Sequence, residues 1–205
     1  FNPAGTRIVT AGSDGEARMW NVASGETLFR LDGHEDGLTS VSYDPSGAFL
    51  LTAGRDGRAI VWSAANGARL AVLDPHPGAV RHAEFSPGGN RVVTTYEDKE
   101  IAGGTVISAD GAARVWAWRD AELLTELTLD DRNRVMTATF SPDGAMVATA
   151  GRFGTVQIRD GETGARLLTL GRHFDSVTAV RFGPAGDRLV TASGNGNVRI
   201  WQLTR

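Results

Sequence analysis

The chain has 205 residues, 41% of them hydrophobic, and sets 21 lysines and arginines against 24 aspartates and glutamates. A net charge of −3 supplies no bulk field for a nucleic-acid backbone or an anionic membrane surface, and no apolar run approaches the roughly 20 residues of a spanning helix. Zero cysteines exclude disulfides and thiolate chemistry and are compatible with a cytoplasmic location.

From its first residue the chain reads as short apolar runs between turn signals. Phe1 stands where a strand ends, so the rest of that strand is expected upstream. Strands then follow at Arg7 to Ala11, Ala17 to Val22 and Thr27 to Leu31, parted by Asp14-Gly15 and Ser24-Gly25. The next unit, Gly33 to Leu73, is complete. Leu38 to Tyr43 alternates apolar and polar residues as a half-buried strand does. Asp44-Pro45-Ser46-Gly47 turns, because proline presets φ and glycine accepts the positive φ that closes the turn. Phe49 to Ala53, Ala59 to Trp62 and Ala68 to Leu73 complete a four-strand meander, with turns at Asp56-Gly57 and Asn66-Gly67. The third unit has Val80 to Phe85 and Arg91 to Thr95. An insertion, Tyr96 to Ser108, then interrupts it before Asp110-Gly111 and Arg114 to Trp118. A fourth unit runs from near Asp131 to Leu170 and a fifth from His173 to Trp201. The expected strands number three, four, four, four and three, eighteen in all.

The units are copies. First-strand aromatics fall at Phe1, Tyr43, Phe85, Phe140 and Phe182, at spacings of 42, 42, 55 and 42. Each is followed by X-Pro-X-Gly, which accounts for five of the seven prolines. Third-strand positions fall at Trp20, Trp62, Trp116, Arg159 and Trp201. One such sheet cannot bury both faces alone and must stack on its copies. One continuous array is expected, with units of approximately 1–31, 32–73, 74–127, 128–170 and 171–205.

At Gly33-His34, Asp56 and Val61-Trp62, repeated in register, the chain resembles the WD-repeat family. Ser63 departs from the aspartate that follows the tryptophan in that family. The resemblance implies an all-β propeller of four-stranded antiparallel blades. About four and a half to five blades fall in this chain, an incomplete propeller read as the C-terminal portion of a longer one.

The resemblance also implies a hydrogen-bonded tetrad of histidine, serine or threonine, turn aspartate and tryptophan. The second unit carries it whole as His34, Thr52, Asp56 and Trp62. The fifth has His173, Thr191, Asn195 and Trp201; the first has Thr10, Asp14 and Trp20; the third has His76, Asp110 and Trp116, with Thr94 before the insertion. The fourth keeps Thr149 but has Asp131, Phe153 and Arg159 elsewhere, so its network is expected to be absent. His34, Thr52 and Asp56 could pass for a catalytic triad. Near-copies in successive blades argue for a structural device instead, since a nucleophile needs a base, an orienting group and an oxyanion hole in one cleft.

Other motifs carry less. Gly194-Asn195-Gly196 lies in a turn between strands, not between strand and helix, which excludes a dinucleotide fingerprint. His82 is the one histidine outside the repeat positions and reads as a half-buried strand residue. Asp130-Asp131 and Asp143 lack calcium-loop spacing. Trp116 and Trp118 share one strand face, as packing residues do. No metal or cofactor is expected.

By the resemblance, the second-to-third-strand turns and the loops before each first strand form a recognition surface. The positions expected there are Ser13; Gly37, Thr39 and Arg55; Ala79, Arg81 and Ala109; Arg134, Met136 and Arg152; Ser176, Thr178 and Gly194. Four are arginine and none is acidic. Arginine pairs bidentately with carboxylate or phosphate, so an acidic or phosphorylated peptide is the expected partner. Arg55, Arg81, Arg134 and Arg152 are its expected anchors, with Thr39, Met136 and Thr178 beside them. Lys99 joins them from the insertion, which falls in a second-to-third-strand turn. The expected function is a non-enzymatic protein-interaction scaffold. One alternative is a C-terminal sensor or regulatory domain of a larger signalling protein, such as a kinase or a nucleotide-switch ATPase. An enzyme with its site in the channel and a nucleic-acid binder are the contrasting classes.

Overall fold

The computed structural model describes residues 1–73, 76–102, 105–129, 134–171 and 173–203, with the backbone alone over 99–102 and 105–110. Nineteen β-strands and no helix are found among the described residues. In chain order they are β1 (Arg7–Ala11), β2 (Ala17–Asn21), β3 (Thr27–Leu31), β4 (Leu38–Tyr43), β5 (Phe49–Gly54), β6 (Ala59–Ser63) and β7 (Arg69–Leu73). Then come β8 (Ala79–Phe85), β9 (Arg91–Ala102), β10 (Thr105–Asp110), β11 (Ala113–Ala117) and β12 (Glu122–Leu127). The last are β13 (Val135–Phe140), β14 (Met146–Gly151), β15 (Val156–Asp160), β16 (Arg166–Leu170), β17 (Val177–Phe182), β18 (Arg188–Ser193) and β19 (Val198–Gln202). They form five antiparallel sheets, the blades of an incomplete β-propeller: β1-β2-β3, β4 to β7, β8 to β12, β13 to β16, and β17-β18-β19.

The strand absent from the count of eighteen is β10. The insertion is not a loop: β9 continues to Ala102, and β10 returns with Thr105 opposite Ala102 and Asp110 opposite Asp98. A twelve-residue loop would leave its N–H and C=O groups to water, whereas extending the hairpin pairs them.

The turns explain themselves locally. Asp44 fixes the β4–β5 turn by accepting from Phe49 N at 2.7 Å through Oδ1, and from Ser46 N at 3.1 Å and Ser46 Oγ at 2.5 Å through Oδ2. The third-to-fourth-strand turns place Gly25, Gly67 and Gly164 at φ of 71°, 71° and 74°, where a Cβ would be strained. The third sheet puts Ala121 in that place, at φ 52°.

Two compact units result, one of residues 1–94 with 116–122, the other of 95–115 with 123–205. In the first, the period-2 alternation gives the second sheet two buried faces. Leu50, Ile60 and Trp62 pack with Ala17, Met19 and Leu31 of the first sheet. Leu51, Ala53 and Val61 pack with Val80, Ala83, Phe85 and Trp116 of the third. Each large side chain so buried contributes about 1.5–3 kcal/mol of transfer free energy. In the second unit, Ala148, Ala150 and Val156 pack with Val177, Val180 and Leu189, small residues on one sheet facing larger ones on the other.

Candidate functional site

The second sheet holds its four tetrad residues together. Asp56, in the β5–β6 turn, lies 2.9 Å by Oδ2 from His34 Nδ1, and His34 Nε2 lies 2.8 Å from Thr52 Oγ1. Trp62 Nε1 donates to the same Thr52 Oγ1 at 2.9 Å. With the imidazole hydrogen on Nδ1 facing the carboxylate, Nε2 is the acceptor, so the Thr52 hydroxyl donates to it and accepts from the indole. Asp56 also accepts from the backbone N–H of Glu35 at 3.0 Å and of Arg58 at 3.1 Å. Burial pushes the Asp56 carboxyl up, but the bond from His34, the Glu35 N–H, the electrostatic influence of His34 and the Arg58 N–H together outweigh it, leaving the carboxyl below its usual range.

The other repeats build parts of this chain of bonds. In the first, Trp20 Nε1 donates to Thr10 Oγ1 at 2.9 Å, while Asp14 turns to Arg18 at 3.2 Å. In the third, His76 Nε2 lies 2.8 Å from Thr94 Oγ1, which accepts from Trp116 Nε1 at 3.0 Å. His76 Nδ1 faces the Gly57 carbonyl at 2.9 Å, and Asp110 stands on β10, with its side chain outside the description. In the fifth, His173 Nε2 and Trp201 Nε1 meet Thr191 Oγ1 at 2.7 and 2.9 Å, while Asn195 bonds inside its own turn to Ser193 and Asn197. Burial, then the charge of Arg199, hold the His173 imidazole below its ordinary pKa. In the fourth, Thr149 Oγ1 is buried with no hydrogen-bond partner. Arg159 stands in the tryptophan's place and donates to Gln157 Oε1 at 2.6 Å, to the Gly164 carbonyl at 3.1 Å and to the Thr128 carbonyl. Asp131 lies outside the described residues.

Thr52, Thr94 and Thr191 are fully buried, so none of these hydroxyls can reach a substrate. His82 is half-buried with Nε2 3.6 Å from Glu84. Trp116 and Trp118 are both core residues, Trp118 bonding the Gly89 carbonyl at 2.8 Å. Asp143 accepts within its own turn, and no three His, Asp or Glu side chains converge among the described residues as a metal site would require.

The residues expected at the recognition surface divide by environment. Arg55 is exposed on the β5–β6 turn, its backbone N–H bonded to Gly37 O at 3.0 Å. Arg81 on β8 is exposed. Thr39 points inward: its hydroxyl lies 2.6 Å from the Val80 carbonyl and 3.1 Å from that of Ala53. In the second unit, Arg134 is half-buried, ion-paired with Glu97, and directs Nη2 and Nε at Met136 Sδ, 3.1 and 3.3 Å away. Arg152 is exposed on the β14–β15 turn with its guanidinium 5.9 Å from the Phe153 ring. Thr178 is exposed on β17. The Lys99 side chain lies outside the description.

Two residues that sequence reasoning did not place at the recognition surface stand out on those turns and loops: Phe153 is 49% exposed and Phe174 is 92% exposed. Their signal was positional. Phe153 occupies the turn position that holds Asp14, Asp56 and Asn195 in other repeats, and Phe174 the position after the histidine, where Glu35 stands.

Comparison with known proteins agrees with this architecture. The family model for the WD domain, G-beta repeat, matches residues 1–21, 25–63, 67–117 and 164–202. The stretch between the last two matches includes Phe153 and Arg159, where the fourth repeat loses the tetrad. The chain is similar to WD repeat-containing protein 1 of Gallus gallus, 35% identical over 82 residues, which is 38% of this chain and 14% of that protein. It is similar to the Periodic tryptophan protein 2 homolog of Caenorhabditis elegans, 32% identical over 91 residues, 44% of this chain and 10% of that protein. The matched segment thus spans a small part of these relatives' length.

Proposed function

The chain belongs to the WD-repeat family, and on that premise we propose that it is a non-catalytic protein-interaction scaffold. It takes a peptide or protein segment on the side chains of its second-to-third-strand turns and of the loops before its first strands. The observation that carries this reading is the contrast between two sets of polar residues. His34, Thr52 and Asp56, which could have passed for a catalytic triad, are spent on bonds within their own blade, with the Thr52 hydroxyl buried. Arg55 in the first unit and Arg152 in the second are exposed on equivalent turns, and neither has an acid within ion-pair distance among the described residues. A guanidinium fork presented in this way pairs with carboxylate or phosphate. The partner is therefore an acidic or phosphorylated segment. Arg55 and Arg81 serve as anchors in the first unit, Arg152 with Thr178 in the second. Arg134, Met136 and Thr39 hold the blades and are not anchors.

A second reading has one supporting observation: the matched segments make up only 10–14% of the relatives' lengths. In that reading the array is a regulatory domain of a larger protein, and the chemistry of its exposed arginines is the same.

Binding of arrayed acidic peptides, with and without phosphoserine, tests the proposal. Arg55→Glu or Arg152→Glu should weaken the retained peptides by about tenfold or more at low salt, and the difference from wild type should narrow as salt screens the charges. Retained peptides whose affinity ignores both changes and ionic strength would refute it.

A further inference from the structure

The β14–β15 turn and the loop before β17 meet within the second unit. His173 N donates to Gly154 O at 3.0 Å, and a Cβ at Gly154, whose φ is 82°, would collide with the His173 carbonyl. This close backbone contact fixes the residues on either side of it, Phe153 and Phe174. Both are large, apolar and open to water, at 49% and 92%.

The same contact is built elsewhere without phenylalanines. The first unit builds the same contact with polar residues: a Cβ at Gly15 would touch the carbonyls of Asp36 and His34, with Asp14 on the turn and Glu35 on the loop. Glu35 there pairs with Arg58 at 2.6 Å, and Asp56 in the next turn is tied to His34. In the fourth repeat the tetrad is gone. Thr149 Oγ1 has lost its donors, and the turn residue is released from inward bonding to face solvent. Single exposed apolar residues are ordinary, but two on adjoining, backbone-locked loops form a patch of the kind that marks an interaction site. Rigid aromatic side chains are also the residues most often found as binding anchors.

The charge beside the patch narrows the partner. Arg152, exposed, lies with its guanidinium 5.9 Å from the Phe153 ring and faces no acid within ion-pair distance among the described residues. On the loop before β17, Asp175 is turned to other groups: Oδ1 accepts from Ser176 N at 2.6 Å, and Oδ2 lies 3.2 Å from a Cβ placed at Gly194. Resting on the scaffold reading above, we propose that Phe153 and Phe174 are the apolar anchors of a docking site for a polypeptide segment. That segment carries large apolar side chains next to an aspartate or glutamate, which pairs with Arg152.

The test is selection of a phage-displayed library of random short peptides on the full 205-residue chain. Fluorescence polarisation of the enriched peptides then follows, against wild type and variants. Enriched peptides should combine aromatic or branched apolar residues with Asp or Glu. Phe153→Ser and Phe174→Ser should each weaken them by about tenfold or more, and Arg152→Glu by a similar factor. Thermal melting should be unchanged for Phe174→Ser, whose ring is 92% exposed; Phe153→Asp installs the residue that other turns carry and controls for folding at that position. Enriched peptides that ignore both phenylalanines but are lost on Arg55→Glu or Arg152→Glu would overturn this site and leave the scaffold reading standing. No enrichment over an unfolded-chain control would overturn both. Phenylalanine-dependent sedimentation with phosphatidylcholine–phosphatidylserine vesicles, without peptide binding, would overturn it in favour of a lipid surface.

Discussion

Replacing threonine by valine at one fold position should change stability with opposite signs in two repeats. Thr52 and Thr149 occupy the same place on second strands β5 and β14, and both are fully buried. Thr52 Oγ1 meets His34 Nε2 at 2.8 Å and Trp62 Nε1 at 2.9 Å. Valine there leaves a buried indole N–H and a buried imidazole nitrogen unpaired. Each orphan costs about 1–3 kcal/mol, and the new methyl recovers little, so Thr52→Val should destabilise by about 2–4 kcal/mol. Thr149 Oγ1 has no partner to lose. Removing it relieves a desolvated hydroxyl, and Thr149→Val should stabilise by about 1 kcal/mol. The two residues lie in different compact units, so global unfolding in urea should be accompanied by amide exchange read separately on β5 and β14. Shifts of the same sign at both positions would refute the hydrogen-bond account of the tetrad.

Asp56→Ala should cost about 1–3 kcal/mol in a urea melt, since it strands the buried His34 N–H, whereas Asn195→Ala should cost less, because Asn195 bonds only within its turn. With its carboxyl held below the usual range, Asp56 contributes stability above the ordinary carboxylate pKa, which is lost as pH falls through the lower folded value. Protection factors near β5 should therefore fall only in acid, and Asp56→Asn should remove that response. The depressed His173 imidazole favours its neutral form. Protection on β18 should be full above its unfolded pKa of about 6.5 and fall on further acidification; protection factors, corrected for the intrinsic pH dependence of exchange, that stay unchanged down to pH 5 would count against it. Ala121→Gly should raise stability by about 1 kcal/mol in thermal melts, because φ 52° is strained for alanine and free for glycine.

Much of the fold was legible because the repeat states the same information several times. Tyr43 followed by Pro45 and Gly47 fixes a strand end and its turn, and the 42-residue spacing carries both forward. The Thr52–Trp62 bond was legible for the same reason. What failed to show was anything set by partners distant in sequence. Arg134 reads as an exposed anchor by position, yet Glu97 of the extended hairpin captures it, and nothing local to Arg134 signals that acid. His76 Nδ1 faces the Gly57 carbonyl of another sheet at 2.9 Å, a neighbour that nothing local to His76 signals. Phe153 read only as a lost tetrad position, and Phe174 drew no reading, because a binding role for an apolar residue shows only once its exposure is known. Their exposure follows from the turn and loop positions, not from residue type.

The most direct test of the scaffold account is hydrogen–deuterium exchange of the full chain with and without a library-selected peptide. The account predicts added protection on the second-to-third-strand turns and the loops before first strands, residues 54–57 in the first unit or 151–154 and 173–178 in the second. Protection instead at Asp44–Gly47, Pro87–Gly89 or Pro142–Gly144, at the opposite strand ends, would contradict it.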